Sequence, residues 1–181
     1  MGLDVTAYSK LKKIDAVFSA HGEAINPETR EPYEDVFQPF ISSDFPSQAE
    51  GISHMAVYEY HEAKRFWAGG YGRYNGWREQ LAKLAGYKPV MFESVQGYAP
   101  SARPSHQVGA FEYDSGPFKE LICFSDCDGV IGPQVAMKLA RDFADWDERA
   151  KEAGDEWFYE KYREWRECFE MASDNGAVSF H

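Results

Sequence analysis

Residues 2–8 alternate Leu3, Val5 and Ala7 against Asp4, Thr6 and Tyr8, a period of two that predicts a half-buried strand. A second strand is expected over 14–18, followed by the polar connection HGEAINPETREP. Residues 36–41 read as a short strand that Pro39 restricts to a sheet edge. Val57 to Tyr60 favours strand again, and the pattern fades beyond it. Helical spacing appears at Trp77, Leu81 and Leu84, with Asn75 as the expected N-cap and Gly86 at the stop. Pro89 to Val95 reads as strand and QGYAPSARPSHQ as loop; Val108–Tyr113 and Phe118–Phe124 suggest a hairpin across DSGP.

The last third is helical. Pro133 suits a first turn, and Val135, Leu139, Phe143 and Trp146 share one face. From about Asp155, Phe158, Tyr162, Trp165, Phe169 and Ala172 recur at steps of four and three until Asn175-Gly176, and Ala177 to Phe180 can add a final strand. The expected fold is α+β: one domain over 1–181, with a mainly antiparallel sheet packed against about three helices, two of them C-terminal.

Composition sharpens this picture. Aromatic residues make up 16 % of the chain, more than a core of this size requires. In the final helix Trp157 and Tyr159 lie off the Phe158–Tyr162–Trp165 stripe, which predicts an isologous homodimer that covers them. A net charge of −11 argues against general nucleic-acid binding and against docking on anionic lipid. The odd set Cys123, Cys127 and Cys168, with no apolar signal core at the start and no long apolar run, predicts reduced thiols and a cytoplasmic protein.

Charge is unevenly spread. Residues 61–88 carry Lys64, Arg65, Arg73, Arg78, Lys83 and Lys88 against Glu62 and Glu79, so this stretch is +4 and the remainder −15. Phe66, Trp67, Tyr71, Tyr74, Trp77 and Tyr87 interleave with glycines at 69, 70, 72 and 76. Basic groups attract phosphate, aromatic faces stack on bases, and glycine lets backbone N–H groups approach an anion. With Asn75 capping a helix, the preceding GGYGRY loop aims the positive end of that helix outward. The candidate ligand-binding set is Lys64, Arg65, Tyr71, Arg73, Tyr74, Trp77 and Arg78. The opposing interpretation makes Trp77 part of the helix's apolar stripe and the lysines solvated charges.

Three further features carry less. The apolar run Leu121–Phe124 leads into Asp126-Cys127-Asp128-Gly129, which looks like the first motif of haloacid-dehalogenase-type phosphohydrolases. That resemblance would make Asp126 the nucleophile and Asp128 the general acid/base around Mg²⁺. The parallel sheet and later motifs of such enzymes have no counterpart, so Asp128-Gly129 reads better as a turn before Pro133. Cys123 reads as a core thiol, and no metal or other cofactor is implied. Residues 142–174 hold twelve acidic and five basic side chains, a surface able to imitate nucleic-acid phosphates or simply a solvated face with i, i+4 pairs.

The opening MGLDVTAYSKL, with AGGYGRYNGWREQLAKLAG and ELICFSDCDGVIGP, resembles a group of uncharacterised phage and prophage proteins. The resemblance implies a small protein of the infected bacterial cytosol, of a kind that often antagonises host antiviral systems. The expected function is non-catalytic sequestration of a nucleotide-like anionic ligand. The alternative is an acidic protein–protein inhibitor of a host nuclease or other defence protein.

Overall fold

The computed structural model describes residues 2–94, 101–124, 128–153 and 155–181. The expected α+β architecture is present. Strand β1 (Gly2–Ser9) follows the alternation read from its sequence, burying Leu3, Val5 and Ala7. Next come three short strands, β2 (Lys12–Ile14), β3 (Val17–Phe18) and β4 (Ala24–Ile25). A 3-10 turn over Pro46–Ala49 and strand β5 (Val57–Glu59) lead to β6 (Glu62–Gly70) and helix α1 (Tyr71–Leu84). Beyond them lie β7 (Val90–Ser94), β8 (Ser101–Ser105), α2 (His106–Gly109), a 3-10 turn over Ala110–Glu112, and α3 (Lys119–Cys123). The chain ends with β9 (Gly129–Ile131), α4 (Pro133–Asp145), α5 (Asp147–Glu152), α6 (Glu156–Ala172) and β10 (Ala177–Phe180).

The main sheet is antiparallel in the order β6-β1-β10-β9, so the first and last strands are neighbours at its centre. Strand alternation sorts its side chains into two cores. Leu3, Val5, Ala7, Val178, Phe180 and Ile131 join α1, α4 and α6 in the larger core. Val130 and Ala177 face the opposite side, where Leu11, Phe37, Ala49, Ala56 and Tyr58 from the irregular segment 11–58 cover them. This double cover explains why every residue of β10 is buried although it is the last strand.

Helix α6 buries Phe158, Tyr162, Trp165, Phe169 and Ala172, as its spacing predicts, and Asp155 caps it by accepting from Phe158 N–H at 3.2 Å. Trp157 and Tyr159 pack against the chain's own core, and Tyr159 Oη reaches Asp147 at 3.4 Å. Both rings, which motivated the expectation of a dimer, are thus partly buried within one chain.

Several local expectations are corrected. Strand β6 continues to Gly70, beyond the point where its pattern fades, because β1 offers a full ladder opposite it. Segment 36–41 makes only an isolated bridge, between Phe37 and Tyr58. The stretch read as the loop QGYAPSARPSHQ contains β8, which pairs with β7. The supposed hairpin over 108–124 is helical: Phe118 adopts φ 56° and opens α3, whose Leu121, Ile122 and Cys123 are buried. A four- or five-residue apolar run fits a buried strand or a buried helical turn equally, and tertiary packing decides.

Candidate functional site

Helix α1 begins at Tyr71, so Asn75 is not its cap but lies inside it. Gly69, at φ 111°, turns the chain out of β6, and Gly70 is the extended N-cap. No side chain caps this N-terminus. The helix holds its glycine-rich first turns because Tyr74, Trp77, Arg78, Leu81 and Ala82 form its buried stripe.

This geometry separates the seven residues predicted to share a ligand. Lys64 and Arg65 are consecutive on β6 and point to opposite faces of the sheet. Lys64 pairs with Glu167 of α6 on the helix side; Arg65 pairs with Asp4 at 3.0 Å on the other. Tyr74 and Trp77 are fully buried and stack in a row with Trp165, each 5.6 Å from it between ring centroids. Trp77 also donates its indole N–H to Phe158 O at 3.3 Å, so both the ring and its polar tip are used inside the core. Tyr71 and Arg73 remain on the surface.

Arg78 is 5 % exposed and has a different role from a surface phosphate contact. Its Nη1 donates to Phe124 O and to Ile122 O (3.4 Å), carbonyls at the end of α3 that have no further helical turn to bond. Its Nη2 donates to Asn75 Oδ1. With the Gln107 amide oxygen turned inward, Gln107 accepts from Nη2 at 3.2 Å and from Nε at 3.3 Å. All five guanidinium N–H groups thus have acceptors, and the Tyr74 ring lies 4.5 Å below the charge.

The same arrangement shapes a cleft. Two adjoining cavities of about 300 and 280 Å³ lie between α1, α2 and the β7–β8 hairpin, and both are lined by Asn75, Arg103 and Gln107. The first adds Gly72, Gly76 and Glu79. The second adds Phe92, Ser105, Val108 and Phe111. Phe92 and Arg103 are directly opposed across the hairpin ladder, so they share its cleft-facing side. Arg78 thus engages the side-chain oxygens of both amides that line the cleft, Asn75 and Gln107.

Glu79 supplies a carboxylate to this wall, yet its oxygens are occupied. They accept from His106 N at 2.7 Å, Gln107 N at 2.9 Å and Ser105 Oγ at 2.8 Å, which fixes α2 against α1. Burial alone would raise its pKa, but the donors of Gln107, His106 and Ser105 together outweigh burial and hold the carboxyl below the ordinary value. Arg103 is exposed and has no carboxylate partner among the described residues. Phe92 and Phe111 are 40 % and 55 % exposed, unusual for phenylalanine, and Lys119 stands 5.9 Å from the Phe111 ring centroid.

Gly72 and Gly76 form the cleft floor. Neither has a positive φ, and a Cβ at either would meet nothing within 4 Å. Glycine in a helix interior costs about 0.5–1 kcal/mol relative to alanine, and nothing in the packing requires it here. What these residues provide is bare backbone facing the cavity.

Of the segment 61–88, therefore, Gly72, Asn75, Gly76 and Glu79 line the cleft directly, and Arg78 acts from behind. Phe92, Arg103, Gln107 and Phe111 were not foreseen. The period-two run Val90, Phe92 could have pointed to them, had the Pro-rich stretch after it been read as a pairing strand.

Asp126 and Cys127 lie outside the described residues. What precedes them is helix α3 rather than the strand that the phosphohydrolase motif needs, and β9 after them is antiparallel to β10. Asp128 is exposed and separated from Pro133 by β9, so it does not cap that helix; Gly132 does. Cys123 is buried. Among the described residues no group of three or more His, Cys, Asp or Glu side chains is placed to hold a metal ion. On α6, Glu164, Glu167 and Glu170 pair with Lys161, Lys64 and Arg166, so much of the acidic face is neutralised within the chain. No described helix is long and apolar enough to cross a membrane. Compared with models of known protein families, with curated proteins and with solved structures, the chain matches none.

Proposed function

We propose that this chain is a non-catalytic binding protein that holds a small nucleotide-like anion in the cleft between α1, α2 and the β7–β8 hairpin. The observation that carries the reading is the donor set. The side-chain amides of Asn75 and Gln107, whose oxygens engage the buried Arg78, line the cleft beside Arg103, which has no carboxylate partner among the described residues, with exposed Phe92 and Phe111 rings next to them. Such a wall offers donors, while its Glu79 carboxylate already accepts three hydrogen bonds from Ser105, His106 and Gln107. It therefore favours a ligand rich in acceptors and negative charge that also has a flat face to stack. The resemblance of the sequence to phage and prophage proteins supplies the proposed setting: removal of a nucleotide signal used by a bacterial antiviral system, in the cytosol of the host.

The test is a thermal-shift screen of the full chain against nucleotides, repeated with Arg103→Ala and Phe111→Ala. Stabilisation of the parent that both variants lose supports the reading. A ligand whose effect survives both substitutions binds elsewhere and removes the cleft from consideration.

A further inference from the structure

Resting on that binding reading, we infer that the cleft takes a nucleotide with a single phosphoryl group, best a monoanionic phosphodiester such as a cyclic mononucleotide, with its base toward Phe92 and Phe111. The first argument is charge. Among the described residues the ionisable side chains that line the cleft are Arg103 and Glu79, which cancel; Arg78 behind the amides and Lys119 beside the Phe111 ring leave a small positive balance. One phosphodiester charge is matched by that balance. A triphosphate would bring two or three more negative charges than the cleft offsets, into a chain whose net charge is already −11.

The second argument is that the two cavities differ in character and share their middle. The side with Phe92, Val108 and Phe111 is apolar and suits a base. The side with Gly72 and Gly76 is bare helix backbone near an uncapped N-terminus, and suits an anion. Asn75, Gln107 and Arg103 belong to both, so their donors fall where a sugar-phosphate would lie between base and anion positions. Each cavity is near the lower end of the volumes that enclose small ligands.

Calorimetry on the full chain at fixed ionic strength tests this with five probes: a 3′,5′-cyclic mononucleotide, the matching nucleoside monophosphate, the triphosphate, the free nucleoside and inorganic phosphate. The cyclic nucleotide is expected to bind at least about tenfold more tightly than the triphosphate, and the nucleoside and phosphate about tenfold or more below it. Arg103→Ala should bring the cyclic nucleotide down to the level of the free nucleoside; Phe111→Ala should bring it down to that of phosphate. A triphosphate that binds as tightly as the cyclic nucleotide overturns the single-phosphoryl inference and leaves the binding reading intact. No binding by any of the five overturns both.

Discussion

Replacing Arg78 by methionine should destabilise the fold by about 3 kcal/mol, because the buried guanidinium donates to four acceptor oxygens in the interior. A methionine fills much of the same space but donates no hydrogen bond. Ile122 O and Phe124 O, together with the amide oxygens of Asn75 and Gln107, would lose their donors in a buried setting. Each buried backbone acceptor left unmatched costs about 1–3 kcal/mol, and the two amides can turn to recover part of theirs. Against this stands the desolvation of a cation that forms no ion pair among the described residues, which methionine removes. About 3 kcal/mol is the balance, equal to a fall in Tm of about 6–12 °C for a chain of this size. Lysine keeps the charge, yet its three donors radiate from one point and cannot span four separate acceptor oxygens, so Arg78→Lys should recover less than half. Urea unfolding followed by far-UV circular dichroism gives both values, and an unchanged m-value confirms that the unfolded state is not the cause. A loss below about 1 kcal/mol in Arg78→Met, or full recovery with lysine, would refute the reasoning.

Other substitutions probe the cleft and its supports. Gly72→Ala and Gly76→Ala should each raise stability by about 0.5–1 kcal/mol in urea unfolding, while Gly76→Leu should weaken nucleotide binding by filling the floor of the cavity. Gly109→Ala should destabilise by about 3 kcal/mol or more, since its Cβ would sit 1.9 Å from Lys88 O, a backbone atom that cannot swing away. Glu79 has a folded pKa below its ordinary 4.5, so its contribution is complete above that value and is lost as pH falls through the lowered folded pKa. The stability difference between the parent and Glu79→Gln should therefore be constant from neutral pH down to about 5 and shrink below it; a difference that grows on acidification contradicts the assignment.

Where the sequence was legible, side-chain periodicity and burial agreed. The stripe Phe158–Tyr162–Trp165–Phe169 has one plausible geometry, a helix against a core, and α6 adopts it with the Asp155 cap in place. The alternation of β1 was equally decisive. Around α1 the same rule failed for an identifiable reason. Gly72 and Gly76 interrupt helix propensity, so Tyr71 to Asn75 reads as loop, whereas the burial of Tyr74 one turn before Trp77 carries the helix back to Tyr71. Missing that first turn also misassigned the aromatics. Counted as a loop residue, Tyr74 looks available to a ligand, and Trp77 sits at the exposed start of the helix; with the helix carried back to Tyr71, both fall on the Leu81 face and belong to the core.

The candidate site was hidden for a different reason. Its components lie far apart in sequence, at 72–79, 92, 103–108 and 111, and no short motif spans them. Only the tertiary arrangement shows that Arg78 influences the cleft without entering it. A guanidinium at the surface would attract an anion directly, but loosely and through solvent. Buried, it instead donates to both amide oxygens, those of Asn75 and Gln107, behind the cleft wall. That division of labour gives Arg78→Met a second consequence beyond stability. With the acceptors released, either amide can present its oxygen to the cleft, so the variant should lose affinity for an anionic nucleotide even at temperatures where it remains fully folded. Binding measured well below the variant's Tm separates the two effects, and an affinity equal to that of the parent would show that Arg78 does not orient the donors.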